Sequence, residues 1–320
     1  MSAASGLRIE PLTDGRHRIT LDAPSDSAGA SRTCKTSYPL ALIHAIHAEK
    51  RNYVCDEIMR EEDPSYVERA LRHEVLGYVD ASDFAGKRVL DFGSGAGASS
   101  LVMGRLFPSS QVVGIELQER LVKLARLRAE LLQRRGVQFF LSPSGTSVPS
   151  DIGSFDYIVL SAVFEHLLPH EREVLLPAIW SHLKPDGILF VNQTPHRWSP
   201  VEMHTTRLPF INYLPSGLAF RAADAFSRKP KPDDDWQALL RAGIRGGTIS
   251  EILELLTRYG SAALLNPKRA VGDQIDLWHG KLSRRHAWLK KCVWTLLKVL
   301  KPVGGIHLIP ELTLAIRKLV

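Results

Sequence analysis

The sequence predicts an α/β fold in which a mostly parallel β-sheet is covered by helices on both faces. Short runs of continuous apolar residues alternate with longer amphipathic segments between residues 88 and 193. This alternation is typical of βαβ units, and strands without a polar face indicate burial on both sides. The predicted strands of this part cover residues 88–92, 111–117, 137–141, 156–162 and 187–193.

The flanking segments differ in pattern from this alternating part. Residues 1–35 are rich in Ser, Ala, Gly and Asp without a sustained period, so we expect a flexible lead-in, and 36–84 is expected to be helical. The main domain is expected to cover 85–320. Insertions interrupt it at 194–247, after the fifth strand, and at 268–307, before the last strand.

The composition is that of a globular protein. Of the 320 residues 44% are apolar and 23% are charged. No apolar run approaches the roughly 20 residues that cross a bilayer, and the chain start lacks the apolar core of a secretory signal. We therefore expect a cytoplasmic protein. Cys34, Cys55 and Cys292 are too few and too far apart for a disulfide framework or a zinc site.

The positive charge is confined to the C-terminal segment. The formal net charge is +7, yet residues 281–320 hold nine Lys and Arg against the single acid Glu311, which leaves the rest about neutral. An enzyme that acts on nucleic acid is expected to spread positive charge around its cleft. We therefore expect no nucleic-acid partner.

The sharpest motif is an apolar strand that ends in Asp91 and turns through Gly93, Gly95 and Gly97. Glycines let the backbone approach a ligand closely, and the helix behind them offers free N–H groups. The motif alone leaves the ligand open, because Gly93, Gly95 and Ala98 also satisfy the dinucleotide-binding pattern G-x-G-x-x-G/A.

Four further features accompany this loop: an acid that ends the second strand, a fourth strand followed by E-H-L, an L-K-P-x-G turn before the fifth strand, and a mixed final strand. They lie at Glu116, 155–167, 183–187 and 311–318. Together they resemble the class I, Rossmann-like methyltransferases that depend on S-adenosylmethionine (SAM), mainly over residues 85–192. The resemblance implies methyl transfer from SAM and a doubly wound, mostly parallel seven-stranded sheet with an antiparallel last strand.

The resemblance also implies a set of SAM contacts. Glu116 takes the place of the acid that accepts hydrogen bonds from both ribose hydroxyls. The family often has an Asp after the third strand for the adenine amino group, whereas this chain has no carboxylate there, so a hydroxyl or backbone group of residues 144–146 would replace it. The expected set is Asp91, Gly93, Ser94, Gly95, Gly97, Glu116, Leu117, Gly145, Thr146 and Ser161.

Histidines mark the predicted acceptor side. His166, His196 and His204 fall near the edge where the strands end, and we expect one of them to act as general base toward a hydroxyl. Alternatively, Glu165 and His166 simply begin a helix. His196, Glu202 and His204 share a Pro-rich loop that is more typical of a solvated loop than of a metal site, so no metal is expected.

Three functions remain open on this basis. The favoured one is methylation of oxygen or nitrogen in a small molecule, lipid or saccharide, with the loop 194–247 as a lid over a polar or amphiphilic acceptor. An RNA or protein methyltransferase is disfavoured, because no nucleic-acid module is appended. A SAM-binding protein without turnover is the third, against which the intact glycine loop and Glu116 argue.

The basic stretch 282–301 has the pattern of a cationic amphipathic helix, with Trp288 and most apolar residues on one half and the lysines on the other. In one interpretation the apolar half packs on the domain and the lysines are solvated. In the other it lies in the surface of an anionic membrane, which would make the protein peripheral to the membrane and its acceptor amphiphilic.

Overall fold

The computed structural model describes residues 6–22, 31–227, 235–258, 260–282, 287–303 and 308–319. The strands in these ranges are β1 (Gly6–Pro11), β2 (His17–Asp22), β3 (Thr33–Thr36), β4 (Arg88–Phe92), β5 (Gln111–Glu116), β6 (Val137–Leu141), β7 (Phe155–Ser161), β8 (Leu183–Pro195), β9 (Ala262–Leu264) and β10 (Glu311–Lys318). The helices are α1 (Leu40–Lys50), α2 (Val54–Glu62), α3 (Val67–Glu74), α4 (Ala98–Leu106), α5 (Glu119–Leu131), α6 (Pro169–Ser181), α7 (Ser216–Phe226), α8 (Trp236–Arg241), α9 (Ile249–Thr257), α10 (Gln274–Lys281) and α11 (Ala287–Leu300).

Strands β4 to β10 form one sheet of seven strands in the spatial order β6-β5-β4-β7-β8-β10-β9. The pairs among β4, β5, β6, β7 and β8 are parallel, whereas β10 runs antiparallel to β8 and β9. The predicted α/β class with a doubly wound, mostly parallel seven-stranded sheet is confirmed. Because the chain winds outward from the boundary between β4 and β7, ligands are expected at the carboxyl ends of these strands.

Consecutive residues of the central strands point to opposite faces of the sheet, and both faces are buried. Leu90 packs in one core with Leu176 of α6 and Leu256 of α9. Its neighbour Val89 packs in a second core with Leu101 of α4. This two-sided burial explains why the strands lack a polar face in the sequence.

The described part of the amino-terminal segment is folded. The prediction of a flexible lead-in is wrong for residues 6–22 and 31–35, because β1, β2 and β3 form an antiparallel sheet there. Residues 1–5 and 23–30 lie outside the described chain. Ile19 and Leu21 alternate with less buried residues and pack against α1 and α2. The alternation spans so few residues that the Ser- and Asp-rich flanks conceal it.

Each insertion contains helices. The first, at 194–247, contains α7 and α8, which share a small apolar core of their own, and its residues 228–234 are not described. The second, at 268–307, contains α10 and α11, with residues 283–286 and 304–307 outside the described ranges. In the part of the chain that is described, no helix has both the length and the apolar character required to cross a membrane.

Helix α11 directs Lys298 toward the domain and exposes much of its apolar half. Lys298 pairs with Asp273 (2.9 Å) and Asp276 (2.5 Å), and the Trp294 indole N–H donates to Asp276 (2.9 Å). Leu297 is buried. The interpretation in which the apolar half packs and the lysines are solvated fits the buried Leu297 and the exposed Lys291, but not Lys298 or the exposed apolar residues. The exposed apolar residues are Trp288, Leu289, Cys292, Leu296 and Val299.

Candidate functional site

The glycine loop follows β4 at the boundary with β7. Gly93, Gly95 and Gly97 have φ angles of +77°, +56° and +89°, a region that other residues rarely adopt. A Cβ added at Gly93 would lie 2.5 Å from a methyl carbon of Val163, whereas nothing lies within 4 Å of one added at Gly95. Gly95 therefore borders open space that a ligand can enter.

Asp91 stabilises the start of this loop through hydrogen bonds to α4. Its buried carboxylate accepts hydrogen bonds from the hydroxyls of Ser99 and Ser100, at 2.6 Å each. Burial raises the pKa of this carboxyl above its ordinary value, and the two hydroxyl donors act against the rise. These hydrogen bonds connect the first turn of α4 to the end of β4.

Glu116 ends β5 and faces the loop from the side. Its carboxylate accepts hydrogen bonds from the backbone N–H groups of Gly95 (3.0 Å) and Gln118 (2.9 Å). The next residue, Leu117, is exposed on the same rim. An acid that can accept two hydrogen bonds thus lies beside the open space at Gly95.

The loop after β6 lies across from Leu117. The Ser142 hydroxyl donates to the carbonyl oxygen of Ser144 (2.7 Å), which folds the segment into a compact turn. The turn brings Gly145 opposite Leu117, where an added Cβ would lie 3.9 Å from the leucine side chain. Thr146 follows directly, with its N–H 3.3 Å from Ser144 Oγ. The predicted residues of the adenine side are therefore close together.

A cavity of about 290 Å³, here called the cofactor cavity, opens between the glycine loop, α2, α3 and the end of β7. Ser94 and Ser161 line it, and their buried hydroxyl oxygens have no hydrogen-bond partner among the described residues. Buried polar groups are normally paired. These two hydroxyls and the space at Gly95 therefore fit a polar ligand of the kind that SAM represents. Glu116 does not line the cavity but contacts its wall through the hydrogen bond from the Gly95 N–H.

A second cavity of about 280 Å³, here called the acceptor cavity, shares a wall with the first. Ala162 and Gln193 line both cavities. His196, His204 and Arg245, all from the first insertion, line the acceptor cavity alone. The insertion thus supplies polar groups directly beyond the cofactor cavity.

Gln193 is held by a buried ion-pair network that sequence reasoning missed. Its side-chain N–H donates to Glu74 (3.0 Å), and Lys281 contacts both Glu74 (3.0 Å) and Glu311 (2.8 Å). Burial alone would lower the pKa of Lys281, but the two carboxylates outweigh it and raise the pKa. The four residues come from α3, β8, α10 and β10, so no local pattern could indicate the network.

Two of the three predicted histidines come together. The rings of His166 and His204 lie 5.4 Å apart, whereas His196 is buried in the wall of the acceptor cavity. Glu165 is buried beside His166, with 3.8 Å between Oε1 and Nε2, and burial raises the pKa of its carboxyl to about 7. Glu165 and His166 lie in the short 3-10 turn Phe164–His166, separate from α6.

Glu202 organises the loop that carries His204. Its carboxylate accepts hydrogen bonds from the backbone N–H groups of His204 (2.6 Å), Thr205 (2.7 Å) and Thr206, and from the Thr206 hydroxyl (2.7 Å). Both carboxylate oxygens are therefore occupied. His196, Glu202 and His204 share a loop in the sequence, but the Glu202 carboxylate already accepts hydrogen bonds from the backbone of that loop.

Comparison with known proteins finds similarity to methyltransferases over part of the chain. Residues 89–187 match the family described as "Methyltransferase domain". A ubiquinone biosynthesis O-methyltransferase from Xanthomonas oryzae pv. oryzae is 37% identical over 130 residues, which are 39% of this chain and 52% of that protein. A demethylmenaquinone methyltransferase from Thermus thermophilus is 28% identical over 189 residues, 58% of this chain and 83% of that protein.

This chain thus spans about half the length of the Xanthomonas relative. Among solved structures, it is similar to a TehB-like SAM-dependent methyltransferase from Corynebacterium glutamicum, with 17% identity and a TM-score of 0.41, over 70% of this chain and 85% of that one.

Proposed function

Since this chain carries a methyltransferase domain of the class I, SAM-dependent family, we propose that it transfers the methyl group of SAM to a hydroxyl oxygen of a small amphiphilic acceptor. The observation that carries the proposal is the wall of Ala162 and Gln193, shared by the cofactor and acceptor cavities. Methyl transfer from a sulfonium is an in-line displacement, which mainly requires orientation and exclusion of water.

The cofactor side of the proposal assigns roles to the loops after β4, β5 and β6. Glu116 would accept hydrogen bonds from the ribose hydroxyls, and the Ser94 and Ser161 hydroxyls would pair with polar atoms of the methionine portion. Leu117, Gly145 and Thr146 would flank the adenine. Asp91, Gly93, Gly95 and Gly97 would act by shaping the loop.

The acceptor side supplies candidates for proton removal. SAM, when bound, supplies an activated methyl group. His196 and His204 line the acceptor cavity, where an imidazole can take the hydroxyl proton as the oxygen–methyl bond forms and the sulfur–methyl bond breaks. His166 does not line the acceptor cavity, but its ring lies beside that of His204, so it would act by positioning His204.

Two arginines favour an acceptor with an anionic or strongly polar group. Arg245 lines the acceptor cavity, and both Arg245 and Arg197 donate to the carbonyl oxygen of Asn212. Burial lowers the pKa of Arg245 to about 10, and the charge of Arg197 acts in the same direction. An anionic group on the acceptor would relieve this repulsion.

The name of the Xanthomonas relative supports oxygen as the acceptor atom, and the names of both relatives support an amphiphilic acceptor. The Xanthomonas protein is named for O-methylation in ubiquinone biosynthesis, and the Thermus protein for methylation of demethylmenaquinone. Quinones and their precursors combine a polar ring with an apolar tail. An acceptor of this kind would be concentrated at a membrane.

We further propose that α11 lies in the surface of an anionic membrane. Trp288 and Val299 on its apolar half are 71% and 69% exposed, and Lys291 is exposed on the same helix. Exposed apolar residues beside cations suit the boundary between headgroups and acyl chains. Because Lys298 is paired with Asp273 and Asp276, the attraction to lipid would be weaker than the lysine count suggests.

Labelled SAM tests the proposed reaction. Purified protein is incubated with methyl-labelled SAM and fractionated cell extract, and we expect label in the small-molecule or lipid fraction. His204→Ala should reduce turnover and leave SAM affinity nearly unchanged, whereas His170→Ala, at an exposed position of α6, should change neither. Label in RNA or protein would support the alternative enzyme class, and SAM binding without any label would indicate a binding protein.

Liposome flotation tests the membrane contact. We expect the protein to bind anionic but not neutral vesicles, with binding weakened by roughly 0.5 M salt because screening shortens the reach of the lysines. Replacing Trp288 and Val299 by Ser should abolish flotation, since both are exposed and their loss leaves the core intact. A protein that stays in solution with anionic vesicles at low salt contradicts the membrane contact but leaves methyl transfer untouched.

A further inference from the structure

We propose that Glu165, His166 and His204 form a binding site for one divalent transition-metal ion at the edge of the acceptor cavity. Each residue offers one ligand atom, and these atoms all lie within 4.8 Å of one another. The sequence predicts no metal for the loop of His196, Glu202 and His204, whereas the fold brings His204 to His166, 38 positions earlier in the chain. The fold brings the insertion back against the end of β7.

The Glu165 carboxylate is the strongest indication of a missing partner. The residue has 0% exposure, and its Oε1 atom has no hydrogen-bond partner among the described residues. The other oxygen accepts a hydrogen bond from the Thr194 hydroxyl (3.3 Å). A buried carboxylate is costly unless it is paired or coordinates a metal, and an ion at Oε1 would remove that cost.

His166 presents the correct nitrogen to such an ion. Its Nδ1 lies 2.6 Å from the carbonyl oxygen of Arg241, so Nδ1 carries the proton and Nε2 keeps its lone pair. Nε2 lies 3.8 Å from Glu165 Oε1. Arg241 is itself fixed by two hydrogen bonds of 2.5 Å to Glu171. Metal-ligating histidines usually donate their other N–H to such a fixed acceptor.

Gly243 allows His204 to approach Glu165. With φ of +92°, it passes so close that an added Cβ would lie 2.8 Å from His204 Cδ2 and 3.1 Å from Glu165 Cγ. A larger residue at this position would separate the two side chains. The backbone of the insertion is therefore shaped to the cluster.

The ligand set selects the class of ion. Two imidazoles and one carboxylate suit zinc, iron, cobalt or manganese better than magnesium or calcium, which prefer oxygen ligands. Ligand bonds of about 2.0–2.2 Å require the three atoms to close in by about 1 Å, which side-chain rotation can supply. Three protein ligands also leave coordination positions open.

The open positions connect the metal to the proposed function, on which this step rests. His204 lines the acceptor cavity, so an ion held by it borders the space assigned to the acceptor hydroxyl. A metal ion lowers the pKa of a hydroxyl that it binds. His204 would then serve as a ligand, and His196 would remain as the imidazole available to take the proton.

Cobalt(II) tests the site without SAM or acceptor. Wild-type protein freed of metal with a chelator is titrated with Co²⁺, and we expect one ion per chain with visible absorption bands typical of nitrogen ligands. Glu165→Gln and His204→Gln should weaken binding by at least about 100-fold, since even losing a group that only orients a ligand costs roughly 10–100-fold. His170→Ala should bind like wild type.

Each outcome bears on the site separately from methyl transfer. Thermal melting and S-adenosylhomocysteine binding establish that each variant is folded. Absence of Co²⁺ binding by wild-type protein, or wild-type affinity in both folded variants, would overturn the metal site. Stoichiometric binding that both variants lose supports it, whether or not a methyl acceptor is found.

Discussion

At the scale of single residues, Glu116 offers the most direct test of the cofactor assignment. Glu116→Ala should weaken binding of S-adenosylhomocysteine by about 1.5–3 kcal/mol, the range for hydrogen bonds to a charged group. Isothermal titration calorimetry measures this. Glu119→Ala serves as the control, because that exposed acid pairs only with Lys123 among the described residues and should not change affinity. Equal affinities in the two variants would contradict the ribose role.

Gly243 makes a second prediction at this scale. Gly243→Ala should lower the free energy of unfolding by about 1–3 kcal/mol, because a side chain is strained at positive φ and would press on His204 and Glu165. Urea denaturation measures the change. Gly217→Ala in α7 is the matched control, since nothing lies within 4 Å of its added Cβ, and stability should stay equal or rise slightly. An unchanged free energy of unfolding in Gly243→Ala would mean that His204 and Glu165 can accommodate the added methyl group.

The proximity of the expected cofactor residues was easier to predict from the sequence than that of the expected acceptor residues, for a physical reason. Glu116 and the glycine loop follow strands that pair side by side, so their proximity follows from the parallel sheet alone. The meeting of Glu165 with His204 depends instead on how an irregular insertion folds back. The position of the Gln193 side chain depends on Glu74 and Lys281. These residues are far from it in the sequence, and only the tertiary fold brings them together.

At the scale of secondary-structure elements, the contact between α11 and α10 should depend on charge. Lys298→Gln should speed hydrogen exchange across residues 287–300 at pH 7, because it removes the pairs with Asp273 and Asp276. Lys291→Gln, at an exposed position, should leave exchange unchanged. Mass spectrometry of peptic fragments measures both. Identical protection in the two variants would show that apolar packing alone holds the helix.

The same contact has a definite pH dependence. Burial acts to raise the pKa of Asp273, but hydrogen bonds from Lys301 and Lys298 outweigh it and hold the pKa well below its ordinary value. The stabilisation is therefore fully present above the unfolded-state pKa of about 3.9 and is lost as the pH falls through the lower folded-state value. The difference between wild type and Lys298→Gln should persist at pH 5 and shrink below about pH 4. A difference that fades already near neutral pH would exclude this pair as its origin.

Regular elements were predictable where apolar residues followed one another in a continuous run. The strands β4 and β6 begin and end where the apolar runs do. The amino-terminal strands were missed because β1 and β2 hold six residues each, too few for alternation to stand out. For α11 the sequence separated an apolar from a basic half but could not tell which half would meet the domain. Asp273 and Asp276, at the start of α10, pair with Lys298, while Leu297 of the other half packs beside them.

At the scale of the whole molecule, Arg128 connects the amino-terminal part to the cofactor site. Its buried guanidinium donates to Glu57 of α2 (2.7 Å) and to the carbonyl oxygen of Ala96 in the glycine loop (3.0 Å). Glu61 lies 3.7 Å from it. The helices before the main sheet thereby support the loop that is assigned to SAM.

Replacing Arg128 should therefore affect stability and cofactor binding together. Arg128→Met should lower the free energy of unfolding by about 3 kcal/mol, because it removes the 2.7 Å partner of the buried Glu57 carboxylate and leaves that carboxylate only Lys50 at 3.5 Å. Affinity for S-adenosylhomocysteine should fall as well. Arg120→Met, which removes an exposed arginine, should cost less than about 1 kcal/mol. Urea denaturation and calorimetry provide the two measurements, and a loss of stability with unchanged affinity would separate Arg128 from the loop.

The wall of Ala162 and Gln193 also bears on how such a protein can change over generations or in the laboratory. The cofactor cavity is otherwise lined by residues between 50 and 99 and by Ser161, whereas the acceptor cavity draws on 195–212, 244–245 and 310–311. Under the proposed assignment of the two cavities, substitutions in the insertion would alter which molecule is methylated while the donor is held as before. Ala162 and Gln193 would then lie between donor and acceptor, so the size of these two side chains would limit every acceptor that the insertion could be adapted to hold.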